Sequence, residues 1–66
     1  MIKVTFTDGE TQLHDADSAT LDGPVFVLRK RIGGSLQSVK TFPAYIVVMA
    51  ELPNGNIALG AGKLQS

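Results

Sequence analysis

Sixty-six residues without a cysteine form one small domain, 1–66, that holds no disulfide and no thiolate metal site. A chain this short buries only about 60% of its unfolded surface, so its core needs a supplement. With one histidine a structural zinc is improbable, and association with a second copy or a larger protein is what remains. Six basic and six acidic residues cancel overall but not locally: residues 1–28 sum to −4 and residues 29–66 to +4. Pairing between neighbouring strands is the expected fate of these charges.

Ile2, Val4 and Phe6 alternate with Lys3, Thr5 and Thr7, the period of a half-buried strand. Asp8-Gly9 is a strong hairpin signal, and Glu10–His14 reads as a polar return strand with Leu13 facing inward. Asp15-Ala16-Asp17-Ser18 favours a turn, because short polar side chains bond the nearby backbone. Ala19–Leu21 resumes a strand before Asp22-Gly23-Pro24 turns the chain.

Val25–Ile32 is the second clear strand. Phe26, Leu28, Lys30 and Ile32 share one face, and Val25, Val27, Arg29 and Arg31 the other. Gly33-Gly34-Ser35 turns the chain again. In the following strand, Leu36–Phe42, Leu36, Val39 and Phe42 recur every three residues, which predicts a bulge or an irregular end.

Ile46–Leu52 is the most continuously apolar run. Three consecutive β-branched residues, Ile46, Val47 and Val48, predict a strand covered on both faces. A helix over 44–52, with Pro43 in its first turn, is the competing reading. Asn54-Gly55 then turns the chain so that Ile57–Leu59 pairs back.

Turn signals every 8–12 residues predict an all-β fold: a small antiparallel meander of five to six strands closing into an SH3-like barrel or sandwich. The expected core is Ile2, Val4, Phe6, Leu13, Phe26, Leu28, Ile32, Val39, Phe42, Ile46, Val48, Leu52, Ile57 and Leu59. Val25, Val27, Val47 and Met49 are left on the second face, where they form an apolar patch suited to a protein interface.

The residues offer little chemistry. His14, Asp15 and Asp17 are the one cluster with metal or acid–base character, and a solvated turn explains them equally well. Gly60-Ala61-Gly62-Lys63 looks like a phosphate loop. However, Ile57 stands where the pattern requires glycine, and Leu64 where it requires serine or threonine. No catalytic residue and no cofactor is expected. Arg29, Arg31, Lys40 and Tyr45 are the candidates for nucleic-acid contact, although zero net charge gives weak long-range attraction to phosphate.

In style, Thr7-Asp8-Gly9 near the start and Phe42-Pro43 before a late strand are similar to small β proteins encoded by phages and actinobacteria. That likeness implies no site. The expected function is a non-enzymatic interaction or structural module that self-associates or joins a larger assembly, with a phage accessory or virion component as one form. A small nucleic-acid-binding barrel is the alternative. No export signal or membrane span is expected, which places the protein in the cytoplasm or a virion.

Overall fold

A computed structural model describes residues 1–64. The chain forms seven strands: β1 (Ile2–Phe6), β2 (Thr11–His14), β3 (Ser18–Asp22), β4 (Val25–Ile32), β5 (Ser35–Pro43), β6 (Val47–Glu51) and β7 (Ile57–Leu59). One 3-10 turn, Ala44–Ile46, precedes β6. Two antiparallel sheets result, ordered β2-β1-β6-β7 and β3-β4-β5. The late apolar segment is therefore a strand. The competing helix survives only as the single turn that carries Ile46 out of β5 and into β6.

The core lies between the sheets. Ile2, Val4, Phe6, Val47 and Ala50 come from the larger sheet, and Ala19, Phe26 and Leu28 from the smaller. Phe26, Ile2, Leu28, Val4 and Val47 are the largest side chains fully withdrawn from water. Burying each contributes roughly 1.5–3 kcal/mol, so these five dominate the apolar stabilisation. The remaining space is filled by Ala16, Ala19, Ala44 and Ala50. Such small side chains let the backbones approach closely. Phe42, Ile46, Leu52 and Ala58 pack around the rim of this cluster.

Five residues expected inside lie outside: Leu13, Ile32, Val39, Ile57 and Leu59 are all exposed. For three of them the cause is one loop geometry used twice. In the first hairpin Phe6 N–H donates to Glu10 O and Gly9 N–H to Phe6 O. In the last, Leu52 N–H donates to Asn56 O and Gly55 N–H to Leu52 O. Each loop thus holds three residues, Thr7-Asp8-Gly9 and Pro53-Asn54-Gly55, and not the two that Asp-Gly and Asn-Gly suggest.

Gly9 and Gly55 both have φ +88°, the left-handed conformation such three-residue loops require. The preceding Asp8 and Asn54 side chains each accept the backbone N–H two residues on, from Glu10 and Asn56. The third loop residue shifts the pairing by one, which exchanges the faces of the return strand. Leu13 consequently stands opposite Lys3, Ile57 opposite Glu51 and Leu59 opposite Met49, on the outer surface. Ala58 takes the inward place, opposite Ala50.

Bulges account for two further departures. In the β1–β6 ladder Thr5 faces Met49 but Phe6 faces Val47, so Val48 has no partner. The extra residue turns Val47 inward and leaves Met49 outside, separating two residues that strict alternation places together. In the β4–β5 ladder Leu28 faces Lys40 and Arg29 faces Ser38, which leaves Val39 unpaired and exposed. Ile32 is exposed because the tip of the β4–β5 hairpin extends beyond the sheet that would cover it.

The segment after β7 closes the structure by backbone contact. Gly60 N–H donates to Val48 O, Ala61 N–H to Ala44 O, and Gly62 N–H to Val47 O. A Cβ built at Gly60 would lie 2.1 Å from Val47 O, and one at Gly62 would lie 2.5 Å from Tyr45 O. Backbone cannot yield as a flexible side chain does, so no side chain fits at either position.

Gly60→Ala or Gly62→Ala is therefore expected to cost about 1–3 kcal/mol, lowering Tm by roughly 5–20 °C in thermal melts followed by circular dichroism. Leu28→Ala, a loss of about 2–5 kcal/mol, leaves the chain largely unfolded in the same assay. Leu13→Ser stays within about 0.5 kcal/mol of the parent. A large loss from Leu13→Ser would show that the outward register is wrong.

Candidate interaction surface

Two surfaces emerge from these registers. The first is the outer face of the four-stranded sheet. One row across it reads Leu13, Lys3, Glu51 and Ile57, and the next reads Thr11, Thr5, Met49 and Leu59. Met49, Ile57 and Leu59 are 36%, 47% and 69% exposed and adjoin one another on β6 and β7. The opposed charges of Lys3 and Glu51 stand side by side next to this apolar group.

The second surface is the long β4–β5 hairpin. The molecule measures 41 × 23 × 16 Å, and this hairpin joins its two longest strands through Gly33-Gly34. Every residue from Arg31 to Thr41 is exposed. Ile32, Leu36 and Val39 supply its apolar groups, and Arg29, Lys30, Arg31 and Lys40 its charge.

The connection from β2 to β3 braces the distal half of β4 in this hairpin. Asp17 N–H donates to Arg29 O, and the Asp17 carboxylate accepts the Arg31 backbone N–H at 2.8 Å. Lys30 donates to the Asp15 carboxylate, the one ion pair among the described residues. The hydrogen bond and charge of Lys30 hold the Asp15 carboxyl below its usual 3.8, and Asp15 raises the Lys30 ammonium above its usual 10.5. The side chains of the hairpin's other cations have neutral partners. Arg29 donates to the Thr20 hydroxyl, Arg31 approaches Gly34 O, and Lys40 lies 5.7 Å from the centre of the Phe42 ring.

Phe42 also receives the edges of two other rings, Phe6 at 5.3 Å and His14 at 5.4 Å between centroids. These contacts join β1 and β2 to β5 across the gap between the sheets. His14 further shares a hydrogen bond with Gln12 Oε1 at 3.0 Å. It packs as an aromatic group here, apart from the Asp15–Lys30 pair. No cluster of three or more potential metal ligands occurs among the described residues, so His14, Asp15 and Asp17 do not form one.

The residues expected at an interface are dispersed. Val47 lies in the core, and Val27 is buried on β4 between Thr20 and Thr41. Val25 is half-buried at the base of the same strand. Neither Val47 nor Val27 is presented to a neighbour, since Val47 is fully withdrawn from water and Val27 is only 5% exposed. Met49 alone of the four stands on an open face, where Ile57 and Leu59 join it.

The nucleic-acid candidates divide in the same way. Arg29, Arg31 and Lys40 share the hairpin, but Tyr45, 72% exposed, sits on the 3-10 turn at the opposite end. Pro43 pairs with Val25, and Arg31 lies six residue steps along β4 from Val25, a distance of about 20 Å. Ile57 and Leu59 escape a reading based on alternation, since their outward placement depends on loop length.

Compared with protein-family models, curated proteins and solved structures, the chain has no significant match to any of them.

The Asp15–Lys30 pair implies a defined pH response. Because the folded-state pKa of Asp15 lies below 3.8, its contribution to stability is present above that value and disappears as pH falls through the lowered folded-state pKa. Lys30 loses its share only as pH rises through its raised pKa, above 10.5. The stability difference between the parent and Asp15→Asn should stay flat between about pH 5 and 9 and shrink in acid, as measured by urea titration at each pH. A difference that changes through neutral pH would contradict the pairing.

Proposed function

We propose that this chain is a non-enzymatic protein-interaction or structural module, which uses the outer face of its four-stranded sheet to associate with a second copy or a larger assembly. The observation that carries this reading is the register of the last hairpin. It turns Ile57 and Leu59 outward beside Met49 and gives the inward place to Ala58. Large apolar side chains gathered on one sheet face, next to a pair of opposite charges, are the features of a contact surface with an apolar centre and a polar rim. A small chain without covalent staples gains stability when such a surface is covered.

The likeness of Thr7-Asp8-Gly9 and Phe42-Pro43 to small β proteins of phages makes a phage accessory or virion component one form of this role, acting in the cytoplasm or within a particle. No helix among the described residues is long and apolar enough to cross a membrane.

A second reading, a nucleic-acid-binding module, is favoured by one observation. The side chains of Arg29, Arg31 and Lys40 lie on one projecting hairpin and form no ion pair among the described residues. Tyr45 stands too far away to stack a base held there.

Gel filtration coupled to light scattering separates the two readings. The interaction reading predicts a mass above the 7.0 kDa monomer at micromolar concentration, or retention on a larger partner, with either lost in Met49→Glu/Leu59→Glu. A parent that stays monomeric, retains no partner and instead binds DNA with steep salt dependence would sink it in favour of the second.

A further inference from the structure

Four strand edges are open in principle, and they differ in length and cover. β2 has four residues, β7 three and β3 five, and β3 lies against β7. β5 has nine residues and pairs only with β4. Its outer edge carries a row of main-chain N–H and C=O groups over Ser35–Thr41, where every side chain is exposed. Natural edges are commonly blunted by charge, proline, a bulge or short length. Here the bulge at Val39 and one charge, Lys40, are the only such devices before Pro43.

We propose that the β5 edge, Ser35–Thr41, accepts an extended acidic segment of a partner protein as an added strand. This deepens the interaction reading and rests on it. The main chain provides the affinity of such a contact, and alternate side chains provide its specificity. The acidic character follows from charge. No Asp or Glu occurs between Gly23 and Ala50, and beyond the Asp15–Lys30 pair and the Asp17 carboxylate on the Arg31 main chain, the side chains of Arg29, Arg31 and Lys40 have only neutral partners.

A strand added beside β5 lies about 4.8 Å from it and about 10 Å from β4. A carboxylate on it, across from Leu36, is then within reach of Arg31, which pairs with Leu36 on β4. The apolar residues of an alternating segment then stand across from Ser35 and Gln37, on the face of β4 that carries exposed Ile32. A second copy placed edge to edge at β5 would supply another basic hairpin with no Asp or Glu between Gly23 and Ala50, and so no carboxylate on its edge strand for Arg29, Arg31 or Lys40.

The test uses the isotopically labelled whole chain and an acetylated peptide of alternating valine and glutamate, about eight residues long. One control peptide is N-methylated at alternate residues, which removes its strand hydrogen bonds, and another replaces glutamate with lysine. The expected result is saturable chemical-shift change and slowed amide exchange confined to residues 35–41. Affinity should fall at least ~tenfold for both controls and for Arg31→Glu/Lys40→Glu.

Equal binding of the N-methylated peptide, or no binding, would overturn the proposal. So would protection of 35–41 that rises with protein concentration alone, or tighter binding of a short DNA duplex at the same salt. If the β5 edge fails while Met49→Glu/Leu59→Glu still abolishes association, only the strand inference falls.

Discussion

The register of two hairpins decides which surface this small protein hides and which it presents. Thr7-Asp8-Gly9 and Pro53-Asn54-Gly55 are built alike, each with a polar side chain that caps its own turn and a glycine at φ +88°. Three loop residues rather than two move every residue of the return strand to the opposite face. Leu13, Ile57 and Leu59 go out, and Ala58 goes in. The apolar outer face of the four-stranded sheet is therefore a product of turn chemistry, not of strand composition.

A core that excludes three large side chains has to be filled differently. The structure does so by bringing its layers together: alanines line the interior around Phe26, Leu28, Ile2, Val4 and Val47. The same economy of space continues at the chain's far end. Gly60 and Gly62 lie directly on the main chain of Tyr45 and Val47 and bond to the first two residues of β6. Close packing of this kind leaves little room for added volume, and substitution by even a methyl group is felt. It also explains why residues with almost no side chain order the last stretch.

Charge is arranged with comparable economy. Asp15 and Asp17 are drawn against the distal half of β4, where one neutralises Lys30 and the other holds the Arg31 main chain. Local neutralisation thus holds for part of the basic set. Arg29, Arg31 and Lys40 keep neutral partners, so the hairpin retains positive character although the chain as a whole has none. An apolar sheet face and a basic, open-edged hairpin on one small framework suit contact with other macromolecules.

Much of the fold was legible from local pattern. The alternation of Ile2, Val4 and Phe6, the β-branched run at Ile46–Val48 and the recurring glycine turns determine an antiparallel all-β chain, and the spacing of Leu36, Val39 and Phe42 marks the bulge at Val39. Backbone propensity and side-chain period are properties of neighbouring residues, so sequence alone carries them. Only the tertiary structure decided that Val47 and Val27 are buried while Ile57 and Leu59 are exposed, and that Tyr45 lies far from Arg31. Those placements depend on one-residue offsets in loops and bulges and on which layer covers which. The physical reason is that a strand's two faces exchange with a single step of register, and that step is chosen by contacts between segments distant along the chain.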